Sequence, residues 1–232
     1  MNCEKYRVPV AGIRSVFSGL PDIGHRVILT AAIICFFAGC GNNIIERSAA
    51  DYFPYAAGNW WRYNNNSSYD PQTIFVEVEP LDTLLQIECY PVTYSGVASY
   101  YAFGNTGVRE YVKITHAFAG AEYTVLEGFV KRVVTPLVTG SSFADSLADS
   151  LDISGAWIKG KYEIRGLVSG FTNDVLFGNV YQIAFTVRKT VADPDTTIIR
   201  DRNFNEYYAP GIGLVRFDND QGEFHLSEYD LK

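Results

Sequence analysis

The sequence is poor in the residues that most metal and catalytic sites use. Three histidines and four cysteines occur in 232 residues, and the patterns HxH, HxxxH, HExxH and GxSxG are absent. Zinc sites draw their ligands from closely spaced His and Cys, and many serine hydrolases carry the nucleophile in GxSxG. Asp218–Glu223 lacks the distant Glu of a calcium loop and is interpreted as a hairpin turn. The sequence therefore predicts no metal and no cofactor. A pair of carboxylates that acts on sugars remains an alternative, because the two residues of such a pair come together only in the folded chain.

Positive charge and long apolar runs are also scarce. Lys and Arg number 19 against 26 Asp and Glu, which gives a net charge of −7. Proteins that bind nucleic acid through its phosphates need a basic surface, and this excess of positive charge is missing. The apolar run Val27–Ala38 has twelve residues, whereas a transmembrane helix needs about 20. The sequence thus predicts no nucleic-acid partner, and the apolar run is too short to cross a bilayer as a helix.

This run has the features of a signal peptide instead. Its length falls in the range of about 7–15 residues for the apolar part of such a peptide, and Arg26 precedes it directly. It ends in Phe37-Ala38-Gly39-Cys40, which resembles the bacterial lipobox. The resemblance implies cleavage before Cys40 and acylation of its thiol by chains such as palmitate. The residue after Cys40 is Gly41 and not Asp, which, by resemblance to the sorting rules of Gram-negative lipoproteins, favours the outer membrane over retention at the inner one. The alternative is a short buried helix that ends in Cys.

We divide the sequence into a lipoprotein signal peptide (1–39), a flexible tether (40–51) and a single domain (52–232). Aromatic residues make up 15% of the chain, and they favour strands. Short apolar runs alternate with turn residues at a spacing of roughly 8–15 residues, which is typical of all-β domains. We predict nine or ten strands. Apolar and polar residues alternate most clearly in residues 73–79, 159–165 and 181–189.

One segment of the domain has helical spacing. Phe143, Leu147 and Leu151 are separated by four residues each, and Ser142 is a suitable N-cap. We therefore predict a short helical insertion over residues 141–151, between strands.

Two motifs bracket the domain. Residues 52–63 read YFPYAAGNWWRY, and residues 206–217 read EYYAPGIGLVRF. Together they resemble a group of secreted bacterial proteins and lipoproteins of unknown function, whose domains begin YFPxxxGNxWxY and end YxAPGxGxV. The resemblance implies a strongly curved antiparallel sheet or open half-barrel, similar to periplasmic lipoprotein carriers of the LolA and LolB type, and it implies no catalytic residues. The residues of these motifs predicted to shape turns are Pro54, Gly58, Asn59, Pro210, Gly211 and Gly213.

Several aromatic residues are adjacent in sequence. Neighbouring residues of a strand point to opposite faces of the sheet, so some rings must be covered by an insertion, line a cavity or lie exposed. Cys89 lies in a strand-like run and is predicted to be a buried core residue rather than a nucleophile. The candidate ligand-lining or exposed aromatics are Trp60, Trp61, Tyr63, Tyr100, Tyr101, Phe103, Tyr207 and Tyr208.

These observations predict a non-enzymatic cell-envelope lipoprotein. We expect an N-terminal lipid to hold it on the membrane, and its concave sheet face to bind an apolar ligand, a lipid or an envelope protein. A structural or assembly lipoprotein that acts through protein contacts is the alternative, and an envelope hydrolase is a further one. A fully packed interior would count against ligand binding, and a hydrolase needs a cleft with convergent carboxylates or a Ser–His pair.

Overall fold

The computed structural model describes residues 48–65, 70–104, 106–220 and 222–232. The predicted signal peptide, Cys40 and tether residues 40–47 lie outside the described residues. Within the described part there are thirteen strands, more than the nine or ten predicted. The elements are α1 Ala49–Tyr52, β1 Trp60–Asn65, β2 Thr73–Val78, β3 Asp82–Leu84, β4 Ile87–Tyr94, β5 Val97–Gly104, β6 Gly107–Phe118, β7 Ala121–Val134, β8 Ser142–Ile153, β9 Ala156–Asp174, β10 Gly178–Ala192, β11 Thr197–Ala209, β12 Gly213–Asn219 and β13 Gly222–Asp230.

All of these strands belong to one strongly curved antiparallel sheet, as predicted. The strand order is β7-β6-β5-β4-β2-β1-β13-β12-β11-β10-β9-β8, and β3 pairs with β4 beside this path. The two outermost strands, β7 and β8, approach each other without a ladder among the described residues. Lys131 N donates to Asp145 Oδ2 at 2.7 Å, and a Cβ on Gly128 would lie 2.8 Å from Leu147 Cδ2. We call this nearly closed sheet the rolled sheet.

The alternation of apolar and polar residues sets which face of each strand is inside. Val76 and Val78 of β2 are buried, and Glu77 between them lies on the outer face. In β9, Tyr162 and Ile164 are buried while the charged side chains beside them point outward. This is the period of two that a sheet with one solvated face requires. The predicted inward and outward faces of these segments are confirmed.

The predicted helical insertion over residues 141–151 is wrong. These residues belong to β8, which pairs with β9 from Ser142 to Ile153. Residues four apart share one face of a helix, but they also share one face of a strand because four is a multiple of two. Phe143 and Leu147 therefore lie on the same face of β8, where both pack on the core and Phe143 contacts the Phe185 ring edge-on at 6.0 Å.

The residues around the first motif close one end of the rolled sheet. We call residues 49–56 the N-terminal plug. The plug begins in what was predicted to be the end of the tether, and Ala49 is already buried. Phe53 lies 4.7 Å from the Tyr208 ring, Tyr55 lies 5.3 Å from the Tyr101 ring, and Tyr52 packs on β10. The plug therefore fills this end with aromatic rings.

The two sequence motifs meet at the plugged end. Trp61 Nε1 donates to the Ile212 carbonyl at 2.8 Å, and the Tyr63 hydroxyl donates to the Leu214 carbonyl at 2.8 Å. Gly213, at φ +96, presents its backbone to Pro54, so that a Cβ there would lie 3.1 Å from the proline ring. Positions about 150 residues apart in the chain are thus joined by direct contacts. The motifs have a structural role in holding β1 to the start of β12.

Candidate ligand-binding cavity

The rolled sheet encloses an open cavity beyond the plug. The main chamber has a volume of about 720 Å³. A second chamber of about 510 Å³ adjoins it and shares four residues of its lining, Glu110, Arg132, Arg202 and Phe204. Pockets for small molecules usually measure about 300–1,000 Å³. The interior therefore has the size of a small-molecule site, and it is not the fully packed interior that would have excluded ligand binding.

A buried ion cluster stands where the two chambers meet. Arg132 is 8% exposed; its Nη1 donates to Glu110 Oε2 at 3.0 Å and its Nη2 to Glu206 Oε1 at 2.6 Å. The Tyr208 hydroxyl donates to the other oxygen of Glu206 at 2.6 Å. Burial disfavours the charged guanidinium, but Glu206 and Glu110 outweigh this effect and raise the pKa of Arg132 well above its ordinary value. The cluster carries one positive and two negative charges.

Aromatic rings complete the surroundings of the guanidinium. The Phe185 and Phe204 rings stack at 5.1 Å across β10 and β11. Arg132 Cζ lies 4.4 Å from the centre of the Phe185 ring and 5.2 Å from that of Phe204. A planar cation is attracted to ring faces when water is excluded. The arginine is therefore fixed by rings and carboxylates together.

A β-bulge aims Arg132 inward. On β6, Val108 pairs with Val133 and Arg109 pairs with Lys131, so Arg132 is an extra residue of β7 without a direct partner. Bulges bend a strand and redirect a side chain, and they are frequent beside functional sites. Glu110 and Glu206 reach the same point by simple alternation on β6 and β11.

These three residues were not among the candidates from sequence. The sequence offered one signal for them, a charged residue at an inward-facing position of a strand. In β11, Phe204, Glu206 and Tyr208 share one face, and Glu206 is the charged residue between two aromatic ones. That signal does not name the partners, because Arg132 is 22 residues from Glu110 and 74 from Glu206.

Buried tyrosines surround the cluster and the plug. Burial, as the main cause, raises the pKa of Tyr94 to about 12, and it raises the pKa of Tyr101 and Tyr208 well above the ordinary value. The Glu206 charge raises the pKa of Tyr94 and Tyr208 further, and the Glu110 charge raises that of Tyr94 and Tyr101. The rings are therefore neutral at physiological pH and act as hydrogen-bonding groups.

A pH titration should reveal these tyrosines. The unfolded chain releases phenolic protons near pH 10.0, while Tyr94 keeps its proton to about 12. Since the folded form binds more protons in this range, the free energy of unfolding should be unaffected below pH 10 and fall as the pH rises above it. Phenolate absorbance should show one group of tyrosines titrating near pH 10 and another only on unfolding. A native titration that matches that of the denatured chain would contradict the burial described here.

The second chamber has a row of cations on one wall. Lys189 of β10 pairs with Arg200 of β11, and Arg202 follows on the same face. Within the described ranges, none of the three forms an ion pair with a carboxylate. Two carboxylates of this chamber are already engaged, Glu110 by Arg132 and Asp201 by Arg188 at 2.8 Å. Asp220 is the remaining carboxylate of the lining in the part of the chain that the structure describes.

The candidate aromatics divide between the two faces of the sheet. Trp61, Tyr63, Tyr101 and Tyr208 are buried inside. Tyr101 lines the main chamber, whereas Trp61 and Tyr63 bind the plugged end together. Their sequence neighbours lie outside, where Trp60 packs on Phe75 at 5.6 Å, Tyr100 on Tyr111 at 6.0 Å and Tyr207 under the Arg216 guanidinium at 3.6 Å. Phe103 is half-buried beside Tyr55 and Tyr90.

The turn residues of the two motifs lie where the chain reverses. Gly58, at φ +83, and Asn59 precede β1. The Asn59 amide donates to the Pro54 carbonyl at 2.6 Å, and its oxygen accepts the Lys232 backbone N–H at 2.8 Å. Pro210 and Gly211, at φ +77, form the turn before β12. Asn59 thus connects the plug to the end of the chain.

The remaining acidic and thiol candidates have structural partners. Asp218 accepts hydrogen bonds from the backbone and side chain of Asn205. Asp193 accepts from His116 Nε2 at 2.8 Å and from its own turn, and the His116 bond chiefly lowers its pKa. Cys89 is fully buried, as predicted, and burial raises the pKa of its thiol. Among the residues that the structure describes, no three His, Cys, Asp or Glu side chains are grouped to hold a metal.

Comparisons with known proteins add little to this picture. The chain matches no protein-family model and no curated protein sequence. Among solved structures it is similar to a "putative lipoprotein from Parabacteroides distasonis ATCC 8503", at 13% identity and a TM-score of 0.40, over 79% of this chain and 100% of that one. In the described residues, no helix has the length and apolarity to span a bilayer. The function proposed for this chain is therefore drawn from its own residues.

Proposed function

We propose that this chain is a non-enzymatic, lipid-anchored protein of the cell envelope that binds a small amphiphilic molecule with an anionic end inside the rolled sheet. The observation that carries the proposal is the open interior cavity, which combines an apolar wall with three cationic side chains that form no ion pair with a carboxylate among the described residues. The lipid anchor at Cys40 is supported by the lipobox resemblance.

The main chamber supplies the apolar wall. Phe204, Phe217, Leu214 and Ile74 line it, and Phe217 stacks on the buried Phe224 at 5.2 Å. Burial of apolar surface contributes roughly 25 cal/mol per Å², so a hydrocarbon or ring that displaces water from this wall would be stabilised. The ion cluster beside the wall keeps its own partners and does not need to be neutralised by a ligand.

The cations of the second chamber select the other end of the ligand. Lys189, Arg200 and Arg202 line this open chamber and are exposed to solvent there. Arginine forms charge-assisted hydrogen bonds with carboxylates, phosphates and sulfonates. An amphiphile that lies along the main chamber would therefore place its acidic group at this row.

Glu110 and Glu206 are the convergent carboxylates that an envelope hydrolase would need, and their geometry favours binding over catalysis. A glycosidase needs two carboxyl groups that can act on the substrate. Here one oxygen of each carboxylate accepts a hydrogen bond from the same guanidinium, and the second oxygen of Glu206 accepts one from the Tyr208 hydroxyl. We therefore propose a structural role for this pair.

The ligand proposal can be tested with a fluorescent anionic probe. Purified protein should bind 1-anilinonaphthalene-8-sulfonate saturably, and laurate should displace the probe better than dodecanol, which has the same chain without the charge. Arg202→Gln should weaken probe binding about tenfold, the effect of losing one charge-assisted hydrogen bond.

Arg165→Gln is the matched control, because it removes the same charge from the exposed outer face of β9 and should leave binding unchanged. Absence of saturable binding would refute the cavity as a ligand site. Equal displacement by laurate and dodecanol would refute the anionic end.

The lipid anchor has a separate test. Cells fed radiolabelled palmitate should incorporate label into the wild-type chain, and Cys40→Ala should abolish it. Undiminished labelling of Cys40→Ala would show that the acyl group is carried elsewhere and would refute the lipobox assignment.

A further inference from the structure

The turn between β9 and β10 exposes apolar side chains that the sheet does not cover. Val175 is 100% exposed and Leu176 is 81% exposed. Phe171 and Leu167 of β9 are exposed as well. The Asp174 carboxylate accepts hydrogen bonds from the backbone N–H groups of Leu176 and Phe177 at 2.8 and 3.1 Å. The turn therefore has a defined conformation that holds two apolar side chains in solvent, an arrangement that marks an interaction surface when it is contiguous.

This turn lies at the plugged end of the rolled sheet, near α1 at the N-terminal start of the domain. Phe177 packs in one apolar cluster with Ile212. The residue before Ile212, Gly211, donates its backbone N–H to the carbonyl of Asp51 in α1 at 2.6 Å. Tyr181 of β10 contacts the Tyr52 ring edge-on at 5.6 Å. The exposed turn and the start of the folded domain are thus direct neighbours.

The length of chain between this point and Cys40 is short. Seven residues lie between Cys40 and Ser48, and an extended chain spans at most about 3.3–3.6 Å per residue. A lipid on Cys40 would therefore hold the start of α1 within about 30 Å of the bilayer surface. This length allows the plugged end to face the membrane while the cavity, which opens beyond the plug, faces away from it.

We propose that the β9–β10 turn is a second membrane contact, in which Val175 and Leu176 insert into the same bilayer surface that holds the lipid on Cys40. The inference rests on the lipid anchor proposed above. Residues 175–180 carry no charge, and the carboxylate of Asp174 accepts hydrogen bonds from the turn itself, so the side chains at the tip, Val175 and Leu176, are apolar. Apolar side chains at such a boundary are typically buried by about 5–10 Å.

The experiment uses the full chain, expressed in a bacterial envelope, purified and reconstituted in phosphatidylethanolamine–phosphatidylglycerol vesicles. An environment-sensitive nitrobenzoxadiazole label is placed at Leu176→Cys. The matched control is Ile199→Cys, an exposed apolar residue near the start of β11, at the opposite end of the rolled sheet. Cys89 is fully buried and does not compete for the label.

The label at position 176 should shift its emission to the blue and be quenched by lipid-borne nitroxides at a depth of about 5–10 Å, whereas the label at 199 should behave as in water. Mass spectrometry of the same sample reports acylation of Cys40 independently. Equal, water-like signals at both positions in an acylated sample would overturn the second contact and leave the anchor standing. Insertion at 176 without acylation would support the contact and overturn the anchor, and neither signal would overturn both.

Discussion

Arg132→Met should lower the free energy of unfolding by about 3–5 kcal/mol, because it leaves two carboxylates inside the rolled sheet without their cation. The guanidinium bonds both Glu110 and Glu206, and methionine keeps most of its volume without its charge. Urea unfolding, followed by tryptophan fluorescence, measures this difference. The effect is large because two buried carboxylates lose their counter-charge, and not because the ion pairs themselves contribute much net stability.

Two further variants separate these contributions. Combining Arg132→Met with Glu110→Gln and Glu206→Gln should recover most of the lost stability, since no buried charge then remains. Arg165→Met on the outer face should change stability by no more than about 0.5 kcal/mol. If Arg132→Met alone cost less than the outer-face control, the cluster would be solvated and its burial described here would be wrong.

Phe53→Ala should destabilise the domain by about 3–5 kcal/mol, the range for truncating a buried aromatic ring. Phe53 is 2% exposed and contacts the Tyr208 and Tyr55 rings at 4.7 and 5.8 Å. Removing the ring leaves a cavity in the plug beside Tyr208, whose hydroxyl donates to Glu206. The change should be measured as a shift in the urea midpoint at constant slope.

Phe75→Ala provides the matched control. Phe75 is 38% exposed and packs on Trp60 at the outer face, so the same truncation should cost well under half as much. Equal losses for the two variants would mean that the plug is not part of the core. A smaller slope for Phe53→Ala would indicate that the plug is already detached in the native state, because less surface then remains to be exposed on unfolding.

The plug and the ion cluster together explain why the interior can stay open. The plug fills one end of the rolled sheet with rings, and Arg132 and its two carboxylates hold β6, β7 and β11 together between the chambers. The core is therefore concentrated at one end and along the walls. An open interior of this kind is maintained by a few strong contacts at one end and along the walls, and it does not need a packed centre.

Local sequence pattern predicted the strand faces well and one element badly. Inward and outward residues of β2, β9 and β10 follow directly from the pleat of a strand. In β8 the four-residue spacing of Phe143, Leu147 and Leu151 led to the prediction of a helix, although the same spacing suits a strand equally well. Pairing with β9 along all of β8 decides between them, and no local pattern reports that pairing.

The sequence by itself determined the all-β class, the two faces of its clearest strands and the positions of the motif turns, because each depends on backbone geometry over a few neighbouring residues. The tertiary structure alone decided that Arg132, Glu110 and Glu206 meet, that the two motifs close one end, and that the β9–β10 turn lies at the same end as α1. Those juxtapositions depend on strand order and on a one-residue bulge, which bring together residues tens to more than a hundred positions apart.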